Sequence, residues 1–161
     1  MTVRNPIHAL LGATLASIVM IGSALCAESL VQLDPFAQAT SGVPNCAVPS
    51  PPTMTEQEAR AESHARVERG TRCAMEGTCE PGGAYRRDPE INEQVRAAIA
   101  GDARFATSSV WLTTSRRWVT LRGCVRSTAQ RRALVDAVKH ERGVERVFDE
   151  LTVVTARPRR P

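Results

Sequence analysis

A chain of 161 residues allows one small domain, since part of its length reads as a targeting segment that contributes nothing to a core. Charge is split: residues 86–161 hold 16 Lys+Arg against 9 Asp+Glu, net +7, while residues 1–85 hold 5 against 8, net −3. A basic half of this kind attracts phosphate-bearing partners, either anionic lipid or nucleic acid, and an export signal argues against nucleic acid. The chain contains no phosphate loop, dinucleotide fingerprint, zinc helix or nucleophile elbow, so no enzyme class finds support.

Residues 1–27 have the layout of a secretory signal peptide. Arg4 precedes an apolar run from Ala9 to Ile21, and the small residues of Ser23-Ala24-Leu25-Cys26-Ala27 follow, with cleavage expected after Ala27. Lipidation at Cys26 and retention as a membrane anchor are the competing readings. Cleavage leaves Cys46, Cys73, Cys79 and Cys124, an even set for which disulfides are the default in an exported protein. A zinc site is the rival, but Cys73 and Cys79 are separated by five residues rather than two. Neither a metal nor a cofactor is expected.

Residues 28–87 read as a Pro- and Cys-rich extension with one helix. Pro35, Pro44, Pro49, Pro51 and Pro52 make its first part a strap or linker running extended or as turns. Thr55-Glu56-Gln57-Glu58 is a capping box, predicting a helix to about Arg69 with Gly70 as its stop. This helix offers little large apolar surface beyond Val67 and needs something to lean on. Cys73, Gly77, Cys79, Pro81, Gly82 and Gly83 then give loop chemistry held by sulfur. Cys73 and Cys79 close a small loop or belong to different bridges, and the preferred partner of Cys124 is a cysteine of the extension.

Residues 88–154 carry the clearest pattern. Ile91, Val95, Ala98 and Ile99 mark the apolar face of a helix. Val110, Leu112 and Thr114, then Val119, Leu121 and Val125, alternate as two strands of a hairpin across Ser115-Arg116-Arg117. Ser127-x-x-Gln130 opens a second helix with Ala133, Leu134, Ala137 and Val138 on one stripe, ending at Gly143. A last strand takes Val147, Leu151 and Val153, bent near Asp149. The fold class is α+β, a small αββαβ unit with helices on one face of a three-stranded sheet behind a disulfide-bearing helical and loop extension. Residues 155–161 read as a disordered basic tail.

Asp88-Pro89-Glu90-Ile91, Val119-Thr120-Leu121-x-Gly123-x-Val125, Gly143-Val144-x-x-Val147 and Leu151-x-Val153 together resemble the BON (bacterial OsmY and nodulation) domain. The resemblance implies a non-enzymatic envelope module, periplasmic or secreted, that attaches to phospholipid surfaces or to neighbouring envelope proteins. Gly123 suits a bulge or a close backbone approach, and Gly143 a positive φ at a helix end. The family places a glycine in the hairpin turn before its V-T-L strand, whereas this chain has Arg116-Arg117-Trp118, which makes the turn basic and aromatic.

Strand alternation sends Trp111, Trp118, Thr120, Arg122 and Cys124 to the sheet face opposite the helices. Either the extension folds back over this face, tied at Cys124, or an exposed tryptophan meets a membrane interface or partner with Arg116 and Arg117 beside it. Candidate lipid- or partner-binding residues are therefore Trp111, Arg116, Arg117, Trp118, Arg131 and Arg132. Arg96, Arg104, Arg126, Arg142 and Arg146 extend the basic surface, although Arg131 and Arg132 equally suit the solvated face of the second helix. His64 and His140 have no nucleophile or carboxylate at a spacing that builds a catalytic set.

Overall fold

The computed structural model describes residues 29–154; the signal-peptide and tail expectations for residues 1–27 and 155–161 lie outside them. The elements are β1 (Leu30–Val31), β2 (Phe36–Ser41), β3 (Met54–Thr55), α1 (Glu56–Met75), α2 (Asp88–Gly101), β4 (Ser109–Ser115), β5 (Trp118–Val125), α3 (Thr128–Lys139) and β6 (Arg146–Val153), with a 3-10 turn at Ala103–Phe105. Strands with alternate apolar positions can bury that side only beneath an amphipathic layer. Here α2 lies against β2 and β4, and α3 against β5 and β6. Ile91, Val95 and Ile99 meet Phe105, Val110, Leu112, Val119, Leu121, Val125, Leu134, Val138 and Leu151 in one core, each at most 3% exposed.

β4 and β5 form an antiparallel hairpin, and β6 returns parallel to β5 through α3, as a parallel pair requires. The expected αββαβ order is present, but the main sheet has four strands, ordered β2-β4-β5-β6, rather than three. The added strand comes from the extension. β2 pairs antiparallel with β4, matching Ala37 to Leu112 and Gln38 to Trp111, with a bulge before Thr40. Ala37 and Ala39 pack on the core, so the segment read as a strap is a sheet edge. Its prolines flank the strand rather than interrupt it, which is why a proline count misplaced it. Asn92, 4% exposed, clasps this joint by donating to the Pro35 carbonyl and to Thr114 Oγ1.

The capping box at Thr55 and Glu58 forms, with Thr55 Oγ1 accepting from the Glu58 amide and Glu58 Oε2 accepting from the Thr55 amide. The helix does not stop at Gly70, however, but runs on to Met75. Gly70 is inside it because Gly83 packs there: a Cβ on Gly83 would lie 2.7 Å from the Gly70 Cα. A glycine can thus mark contact between backbones as well as a helix end. Helix α1 leans on the β1/β3 pair, and Arg66 joins Asp34 at 2.8 Å and Glu62 at 2.9 Å while covering the Tyr85 ring at 4.3 Å. Gly123 makes the close approach expected of it: a Cβ there would lie 2.0 Å from the Ser109 carbonyl oxygen.

Two disulfides are present, Cys46–Cys124 and Cys73–Cys79. The first joins the extension to β5 and the second closes the small loop after α1. All four cysteines of the described residues are thus paired. Strand β6 is continuous through Asp149. The apolar alternation breaks there because Asp149 faces α3 and pairs with Arg131 at 2.7 Å.

Candidate functional site

The sheet face away from the helices has a closed end and an open one. At the closed end the chain leaving β2 crosses over. Val43, 6% exposed, exchanges hydrogen bonds between its backbone and Ser109 Oγ, and Cys46 bonds to Cys124. Trp111 stands on this side of β4 and is 5% exposed. It is therefore a packing residue rather than part of an accessible surface.

At the open end, parallel pairing places Trp118 beside Arg146 and Thr120 beside Phe148. Trp118 is half-buried, and its ring meets Phe148 edge-on at 5.8 Å between centroids. Phe148 is 39% exposed. The guanidinium groups of Arg116 and Arg146 each lie 5.0 Å from the Trp118 ring centroid, within cation–π range. Neither has a carboxylate within ion-pair distance among the described residues, whereas Arg87, Arg96, Arg104, Arg117, Arg122 and Arg131 all do. The result is an aromatic surface flanked by two cations whose charge is not neutralised.

The six sequence candidates consequently separate. Arg116 and Trp118 share the open end. Arg117 turns the other way, pairing with Glu145 at 3.0 Å and donating from Nε to the Gly143 carbonyl. Arg131 is engaged by Asp149, and Arg132 is on α3 in the helical layer. Sequence reasoning placed Arg146 only in a general basic surface and missed Phe148. The signal was available: the apolar alternation of Val147, Leu151 and Val153 sends Arg146, Phe148, Glu150 and Thr152 to the far face, as it does for Trp118.

The turn that presents Arg116 is built against the grain of its sequence. Arg116 and Arg117 both adopt positive φ, 55° and 65°, the conformation of the mirror-type hairpin turns that favour Asn and Gly. Left-handed backbone costs an L-residue roughly 1–2 kcal/mol, so the turn needs support. It comes from Asp88 at the first turn of α2, which is 2% exposed. Asp88 Oδ2 accepts the Arg116 amide at 2.8 Å and Oδ1 the Arg117 amide at 2.7 Å. Burial pushes the Asp88 carboxyl above its ordinary range, the Arg117 and Arg116 amides pull it down, Asp34 raises it further and Arg66 opposes that.

Residues 87–155 match the family model of the BON domain. No curated protein matches the chain. The matched segment begins one residue before Asp88 and ends just beyond β6, so it contains the Trp118 surface and the turn that bears Arg116, and it leaves out the extension that supplies β2 and Cys46.

Proposed function

Taking as premise that residues 87–155 are a BON domain, a module of membrane-related envelope proteins, we propose that this chain is a non-enzymatic envelope protein that docks on anionic phospholipid surfaces. The two disulfides fit an oxidising, exported location, and among the described residues no helix is long and apolar enough to cross a membrane. Contact of the described residues with a membrane is then made through a surface. The observation that carries the reading is the open end of the sheet, where Trp118 and Phe148 lie between Arg116 and Arg146. Aromatic rings favour the headgroup zone, and each basic residue near an anionic surface contributes about 1 kcal/mol. Arg116, Trp118, Arg146 and Phe148 form the docking set, and Arg117 braces the turn from the side.

Flotation of the oxidised protein with phosphatidylglycerol vesicles and with purely phosphatidylcholine vesicles, at low and physiological salt, tests this directly. Binding to the anionic vesicles alone, fading with salt, is the expected result. Absence of binding under every condition would remove lipid docking and leave the same surface to an envelope protein partner.

A further inference from the structure

We propose that Asp88 is the positioning residue of the Trp118 surface: its buried carboxylate holds the Arg116–Arg117 turn in the left-handed conformation that keeps the Arg116 guanidinium over the indole. The inference rests on the docking reading for its consequence, but its geometry stands apart from it. Two consecutive non-glycine residues at positive φ suit the two-residue turn between the paired Ser115 and Trp118, but that conformation costs each L-residue energy that the turn must recover. Both of their amides point to one carboxylate, and each carboxylate oxygen serves one amide. Such a pair of charge-assisted bonds to a buried carboxylate restrains the turn in addition to the strand pairing of Ser115 with Trp118. A second restraint acts beside it, through the Arg117 guanidinium on the Gly143 carbonyl and the Glu145 amide on the Arg117 carbonyl, 2.9 Å. That one acts on Arg117, whereas the Arg116 amide is held by Asp88.

Charges of the extension also act on the Asp88 carboxyl. Arg66 of α1 and Asp34, paired with each other at 2.8 Å, are the charged groups that act on Asp88 besides the turn itself. Helix α2 and the docking surface are thus joined through one buried carboxylate. An aspartate at a helix start reads as ordinary helix chemistry from sequence, which is why this role does not emerge before the hairpin and helix are brought together.

The test uses D88N in the full disulfide-bonded chain. Asparagine keeps the shape but offers one acceptor atom where the carboxylate offers two, so one turn amide loses its partner. The ring-current displacement of the Arg116 side-chain proton signals, which reports its position over Trp118, is expected to collapse in D88N. Binding to phosphatidylglycerol vesicles is expected to fall on the order of fivefold, the effect of withdrawing one basic residue. Retention of the Arg116 displacement in D88N would overturn the proposal whatever the vesicles show. If the displacement is lost and binding is unchanged while R116A weakens binding, the positioning role falls and docking stands; if R116A and W118A are also without effect, docking itself falls. Should D88N fail to fold, the wild-type chain decides the same point by acid titration. There the Asp88 carboxyl carbon and the Arg116 displacement should titrate together, and independent behaviour would overturn the proposal.

Discussion

Trp111 and Trp118 stand on the same side of one sheet, on strands paired with each other, yet one is 5% exposed and the other is half-exposed beside two cations. The difference does not arise within the segment that matches the BON model, which supplies both residues. It arises from residues 36–46, which add an edge strand, cross the far face and are fixed by Cys46–Cys124. The extension therefore decides how much of the sheet is surface. It closes the β4 end and leaves the β5/β6 end open, where Trp118 and Phe148 stay accessible.

The largest test of that division is removal of its covalent tie. Cys46 and Cys124 are 78 residues apart and Cys73 and Cys79 only 6. On chain-entropy grounds the C46A/C124A pair should lose about 4.5 kcal/mol and C73A/C79A about 2 kcal/mol. Urea unfolding of the two double variants measures both, and equal losses would mean that the long bridge does not hold the closed end. Next in size is the tryptophan pair itself. W111A should cost about 3–5 kcal/mol as a truncated buried aromatic. W118A should stay within about 1 kcal/mol for its partly exposed position, while abolishing vesicle binding. A W118A protein that unfolds like W111A would erase the contrast between the two ends.

A smaller effect sharpens the contrast among the arginines. R116A and R146A should each weaken binding to anionic vesicles about fivefold. R131A, whose parent side chain is held by Asp149 at 2.7 Å, should change binding little. Three equal losses would indicate that net charge alone drives association and that the Trp118 surface has no special part in it.

The αββαβ order, both alternating hairpin strands, both capping serine and threonine residues and the sheet face of the tryptophans were legible because each follows from a local period or spacing. The fourth strand was not, because Ala37 and Ala39 are small and the flanking prolines dominate the composition. What makes them a strand is pairing with Leu112 and its neighbours, seventy-five residues later in the chain. Gly70 misled for the same reason, its partner Gly83 being visible only once the loop folds back. The surface at Trp118 was half legible. Arg116 and Trp118 are adjacent in sequence, but Arg146 and Phe148 join them only through the parallel β5/β6 register.

The finest test concerns the pH dependence of the turn. Burial raises the Asp88 carboxyl in the folded protein above its unfolded value, so between those two values the folded state binds the extra proton. The stability contributed by that proton is fully present below the unfolded value and is lost as pH rises through the folded one. Relative to D88N, which has no proton to lose, the wild type should become less stable as pH climbs out of the acidic range, and the difference should level off once Asp88 is ionised. Thermal unfolding of the two proteins across that range gives the sign. An opposite slope would mean that the two amide bonds outweigh burial, placing Asp88 among carboxylates that are best accommodated charged. On either slope protonation takes away one of the two acceptors, so acid is the condition that loosens the turn and releases Arg116 from Trp118.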